Sequence, residues 1–108
     1  MTNPKLYILS PQAENDLAGI YAYIARDNSD AAERMLDKLL SACELLTDNP
    51  GIGQCRYDLT LLPVHFWLVQ PRYFLIYRGE NPIEIVRVLA ANMDIAREIA
   101  GEEGTSNK

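Results

Sequence analysis

The chain has 108 residues, 48% of them hydrophobic, with ten basic and fifteen acidic side chains and a formal net charge of −5. That is enough for one domain with one core, and it excludes a disordered chain and a membrane span, since no apolar run approaches ~20 residues. The acidic balance also argues against a protein that holds nucleic acid mainly through phosphates.

Lys5-Leu6-Tyr7-Ile8-Leu9 is a short apolar run ended by Ser10-Pro11 and reads as a strand. Ser10 is a natural helix N-cap, with Pro11 at the first helical position, where its missing N–H costs nothing. Glu14 and Asp16 place negative charge in the first turns, favourable to the helix dipole. Ala13, Leu17, Ile20, Tyr21 and Ile24 form one helical stripe. Asp27-Asn28-Ser29-Asp30 breaks that pattern and caps a second helix, with Ala32, Met35, Leu36, Leu39, Cys43 and Leu46 on one face. Asn49-Pro50-Gly51 stops it. So short a linker makes the two helices an antiparallel hairpin.

Residues 51 to 62 read as loop. Strand character follows at Val64–Val69 and Tyr73–Arg78, and after the turn Gly79-Glu80-Asn81-Pro82 at Ile83–Leu89. Met93–Ala100 is expected to form a short helix capped by Asn92. The domain is expected to span residues 1–100, with 101–108 a polar, disordered tail. Alternation in the last hairpin puts Phe74, Ile76, Val86 and Val88 on one sheet face, and Tyr73, Leu75, Tyr77, Ile83, Ile85 and Leu89 on the other. Both sets are apolar, and one helical hairpin covers only one face. Either a partner shields the second face or the chain covers it itself.

Candidate chemistry is sparse. His65 is the only histidine and sits in an apolar strand beside Phe66-Trp67. Cys43 and Cys55 read as structural thiols, too few with one histidine for a zinc site. No cofactor motif is present. Residues 55–108 hold six basic and seven acidic side chains, and five of the six are arginines. Arginine suits fixed contacts with carboxylate or phosphate. Arg87 interrupts an apolar strand, where a lone charge is costly unless paired; a helix carboxylate or Asp94 is the expected partner.

The ordered set Leu9-Ser10-Pro11, Ala13, Asp16-Leu17, Ile20, Tyr23-Ile24, Ala32, Leu39, Leu46, Asn49-Pro50, Gly53, Tyr77-Arg78, Ile83–Leu89 and Asp94-Ile95 resembles the RelE/ParE toxins of type II toxin–antitoxin systems, in their ParE branch. The resemblance implies an α+β fold: an N-terminal strand, a helical hairpin packed on a mainly antiparallel sheet of three to four strands, and a short C-terminal helix. It also implies a cytoplasmic toxin that binds DNA gyrase, needs no cofactor, and is neutralised in a hetero-oligomer by a small ParD-like antitoxin. Two departures bear on activity. Leu62–Phe66 lacks the basic residue that many relatives carry there, and Ala90 and Met93 stand where many have histidine and arginine. Cleavage of RNA needs such groups around the scissile phosphate. The alternatives are a ribosome-dependent endoribonuclease using Arg72, Arg87 and Tyr73 or Tyr77, and a degenerate module that only binds antitoxin. Expected target contacts are Trp67, Arg72, Tyr73, Arg87 and Asp94; expected antitoxin contacts are Leu75, Tyr77, Ile83, Ile85 and Leu89.

Overall fold

The computed structural model describes residues 7–106, and the side chains of 7–100. Lys5 and Leu6 of the expected first strand, and Asn107 and Lys108 of the expected tail, lie outside the described residues. The elements run β1 (Tyr7–Leu9), α1 (Pro11–Ala25), α2 (Ser29–Asp48), β2 (His65–Val69), β3 (Tyr73–Arg78), β4 (Ile83–Ala90) and α3 (Ile95–Ser106). The caps expected for α1 and α2 form. Ser10 Oγ accepts from the Ala13 N–H at 3.0 Å, and Asn28 Oδ1 from that of Ala31 at 3.0 Å.

The sheet order is β1-β4-β3-β2, with β1 parallel to β4 and the other pairs antiparallel. The helical hairpin packs on one face over Leu17, Leu39, Cys43, Leu46, Leu75, Tyr77, Ile83 and Ile85. This arrangement is the α+β fold expected from the resemblance.

The alternation in β4 is interrupted. Ile76 pairs with Arg87 and Tyr77 with Ile85, so Val86 is an extra residue in a β-bulge. Beyond it the strand changes parity. Val88 therefore joins the helix-side core and Leu89 the opposite face, the reverse of the uninterrupted pattern.

The second face is covered from within the chain. Val64, Phe66, Ile76, Leu89, Ile95 and Ile99 form a separate core, with Leu59, Leu62, Phe74 and Val86 packed against it. The loop after α2 is thus a lid over the sheet. It is pinned to the β2 edge where Gln54 and Phe66 exchange N–H···O bonds of 2.9 and 2.7 Å. α3 supplies the rest, starting two residues later than expected and running on to Ser106. Its cap is Asp94, not Asn92: Asp94 Oδ1 accepts from the Arg97 N–H at 3.2 Å.

Burial has a chemical consequence at Cys43. Loss of solvent, reinforced by Glu44, pushes the thiol up from 9.0 to about 12. Cys55 is exposed. A thiol reagent at pH 8 should modify one cysteine per folded chain and both in denaturant; two rapid reactions without denaturant would contradict this packing.

The same burial makes the fold sensitive to alkali. In the unfolded chain Cys43 ionises near 9, whereas in the folded chain it stays protonated to about 12. Its contribution is thus complete below pH 9 and lost as pH rises towards 12. The interval sets a ceiling of about 4 kcal/mol. Burial also raises Tyr7 and Tyr77 above 10.0, adding losses above pH 10. Urea midpoints should therefore fall steadily from pH 9 upward, and Cys43→Ala should flatten the first part of that decline.

A candidate binding cleft between helix α1 and the strand ends

A cleft of about 990 Å³ opens between α1 and the far end of the sheet. Asp16, Ile20 and Tyr23 line its α1 side; Pro71 and Arg72 come from the β2–β3 turn and Tyr73 from the start of β3; Arg87 to Ala90 form its floor. Ala91, Asn92, Met93 and Glu98 close the end towards α3.

The floor is built around the bulge. Where β1 ends, α1 takes over the hydrogen bonding of the β4 edge. The Ser10 N–H donates to Ile85 O at 3.0 Å, and Ser10 Oγ donates to Val86 O at 2.7 Å. Asp16 continues the series. Its Oδ2 accepts from the Val88 N–H at 2.9 Å and from Arg87 Nε at 2.8 Å, while Oδ1 accepts from Arg87 Nη2 at 3.0 Å. One carboxylate thus stands in for the missing strand and neutralises the charge in the bulge. Both side chains are about 15% exposed, so the pair is largely removed from water. Glu98 Oε1 lies 3.7 Å from Arg87 Nη2, an ion pair without close hydrogen bonding.

The opposite wall is held by main chain. The Arg72 N–H donates to Val69 O at 3.0 Å, and Arg72 O accepts from the Ala91 N–H at 2.7 Å. Gln70 turns the hairpin with a left-handed φ of 51°, which costs a non-glycine residue of order 1 kcal/mol or more.

Of the expected target contacts, Arg72, Tyr73 and Arg87 line the cleft together. Tyr73 is nearly buried, and Arg87 is committed to Asp16. Trp67 lies elsewhere, packed against the helix-side core. Asp94 caps α3 and does not bond to Arg87. The five expected antitoxin contacts are internal: Leu75, Tyr77, Ile83 and Ile85 are 0% exposed and Leu89 is 2%. They build the two cores and present no surface here. Sequence reasoning passed over Asp16, which it took for a dipole-favouring surface charge, and Tyr23 and Glu98. A carboxylate one turn inside a helix, paired with a lone arginine in an apolar strand, was the available signal.

The cleft has two guanidiniums, Arg72 and Arg87, against two carboxylates, Asp16 and Glu98. Ala90 and Met93, where many relatives carry histidine and arginine, also line it. At those positions no side chain can move a proton or meet a phosphate. Among the described residues, no group of three or more His, Cys, Asp or Glu could hold a metal ion. A second recess, of about 390 Å³ and apolar, is lined by Leu17, Ala18, Tyr21 and Leu36 on the helical hairpin.

The model of the ParE toxin of type II toxin–antitoxin systems, parDE, matches residues 7–95. The chain belongs to the ParE toxin family. It is 34% identical over 96 residues to the proteins named Toxin ParE1 of Mycobacterium tuberculosis, strains CDC 1551 / Oshkosh and ATCC 25618 / H37Rv, covering 86% of this chain and 96% of each relative. Among solved structures, a chain of the chromosomal ParDE TA system from P. aeruginosa superposes with a TM-score of 0.67 at 18% identity, over 80% of this chain and 95% of that one. That likeness is one of fold. In this ParE-family member, no described helix is long and apolar enough to cross a membrane.

Proposed function

We propose that this ParE-family toxin acts in the cytoplasm by binding DNA gyrase, without an enzymatic step of its own, and is neutralised by a ParD-like antitoxin in a hetero-oligomer. The observation that carries the non-enzymatic reading is the state of the cleft. Its central cation, Arg87, is held by Asp16 through two hydrogen bonds, beside Ala90 and Met93. A ribonuclease needs a free cation for the developing phosphate charge and a proton carrier for the 2′-hydroxyl. Tyr77, one of the two phenols available to such an enzyme, is engaged away from the cleft with Pro50 and Gly53.

Antitoxin binding is supported by family membership and by the apolar groove on the helical hairpin. Ala18 is exposed there and Tyr21 and Leu36 are half-buried, a shape that suits the apolar stripe of a partner helix. Leu75, Tyr77, Ile83 and Ile85 lie in the core beneath the hairpin, and Leu89 in the core on the other face of the sheet.

Purified, antitoxin-free protein should inhibit gyrase supercoiling and accumulate cleaved gyrase–DNA complexes, while leaving messenger RNA intact on translating ribosomes. Specific messenger cleavage that disappears in Arg87→Ala would transfer the protein to the ribonuclease class. If neither activity were seen, and tight antitoxin binding were, the antitoxin-binding module would be the better description.

A further inference from the structure

The cleft and the groove lie on opposite flanks of α1. Successive helical residues advance by about 100°, so Asp16, Ile20 and Tyr23 share one flank and Ala18 and Tyr21 the other. The two recesses differ in chemistry. The groove is apolar, whereas the cleft carries charge that is unevenly matched. On its floor Arg87 is neutralised by Asp16. On its wall Arg72 is exposed and forms no ion pair with any described residue. Arg26 is also without a described carboxylate partner, and holds its guanidinium 5.8 Å from the centre of the Tyr23 ring. Arg72 is thus the one lining cation without a described carboxylate partner, and Arg26 stands just outside the lining, against the Tyr23 ring, on a chain of net charge −5. Apolar surface accompanies them: Tyr23 is 70% exposed and Met93 41%, on different walls.

We propose that the cleft is the target-facing surface, and that it takes an acidic segment of the target protein. A carboxylate of that segment meets Arg72, with Arg26 beside the Tyr23 ring at the margin, and an apolar side chain enters between Tyr23 and Met93. This rests on the gyrase-binding toxin reading above. A carboxylate fits the guanidinium fork in two parallel bonds, and apolar neighbours keep water from the pair. A nucleic-acid backbone fits less well, because it brings a negative charge with every nucleotide past Asp16 and Glu98, whereas a peptide can set one carboxylate on Arg72 and an apolar side chain on Tyr23 and Met93. The walls are set beforehand by the Ala91–Arg72 main-chain bond and by the Asp16 bonds to β4, so docking orders little backbone. With the groove on the far flank of α1 left for the antitoxin, the two partners use separable surfaces.

The test compares Arg72→Glu with Lys38→Glu, an equal change in net charge at an exposed position of α2. Antitoxin-free proteins are assayed for gyrase supercoiling inhibition, for binding of the antitoxin encoded alongside, and for melting temperature. Arg72→Glu should require roughly ten-fold more protein for the same inhibition, with antitoxin binding and melting temperature held, and Lys38→Glu should behave as wild type. Met93→Glu provides a second variant and should lose inhibition likewise. Equal inhibition by wild type, Arg72→Glu and Met93→Glu would overturn the cleft assignment and leave the gyrase reading standing. Loss of antitoxin binding in Arg72→Glu would assign the cleft to the antitoxin and also overturn it. A folded wild-type chain with no effect on gyrase would end the reading itself, and the target assignment with it.

Discussion

Replacing Asp16 by alanine should destabilise the fold by about 3–5 kcal/mol, the range for removing one partner of a buried ion pair. The substitution removes three hydrogen bonds at once. Arg87 is left 14% exposed with its nearest carboxylate gone, and the Val88 N–H loses its acceptor. A small domain is stable by only about 5–15 kcal/mol, so a loss of this size takes a large share. Urea denaturation at neutral pH measures it. Asp16→Asn should cost less, since the amide oxygen can still accept one bond but carries no charge. The double variant Asp16→Ala, Arg87→Met should recover part of the loss, because an apolar side chain needs no counter-charge. A loss below about 1 kcal/mol for Asp16→Ala would mean that solvent already screens the pair, as at an exposed surface bridge. The cleft would then have a softer floor than its geometry indicates.

Much of the architecture was legible because it depends on local chemistry. Ser10-Pro11 and Asn28 mark helix starts whichever way the chain then folds, since a cap acts over three residues. The strands of the last hairpin were equally plain from their β-branched and aromatic runs. Features set by distant contacts were not. The bulge at Val86 is stabilised by Ser10 and Asp16, more than 70 positions away, and nothing within Ile83–Leu89 announces it. Both faces there are apolar, so a change of parity leaves no mark in the pattern. The lid was missed for a related reason. Leu59 and Leu62 lie in a stretch without periodicity, and the distant Gln54–Phe66 bridge holds that stretch to the sheet. At the site, Arg87 was recognised as needing a partner, and a helix carboxylate was one of two choices. The other, Asp94, goes to the α3 cap because it sits where that helix begins.

Besides the Gln54–Phe66 bonds, a phenol fastens the start of the lid, and this gives the second large effect. Tyr77 Oη donates to Pro50 O at 2.8 Å and accepts from the Gly53 N–H at 2.8 Å, so a side chain from β3 closes the turn that follows α2. Tyr77→Phe removes both bonds and should cost about 1–3 kcal/mol, the penalty for unsatisfied groups that water does not fully reach. Gly53→Ala attacks the same contact from the other side. A methyl there would run into the Tyr77 hydroxyl and lie 2.7 and 2.8 Å from ring carbons Cε1 and Cζ. The ring has nowhere to retreat, being fully buried and stacked on His65 at 5.4 Å between centroids. Overpacking of this kind costs about 1–3 kcal/mol. The two changes should not add, since without the hydroxyl the worst collision is gone. They should not cancel either, because the ring carbons remain too close. A double variant less destabilised than the sum of the singles, yet no more stable than Tyr77→Phe alone, is therefore the expected outcome of a denaturation cycle. Strict additivity would mean that the added methyl collides with the ring carbons alone and that the hydroxyl plays no part in the clash. Full rescue would mean that the lid moves away from the ring once the hydroxyl is absent. In that case hydrogen exchange at Gln54 and Phe66, whose mutual bonds hold the lid to β2, would rise in Tyr77→Phe itself.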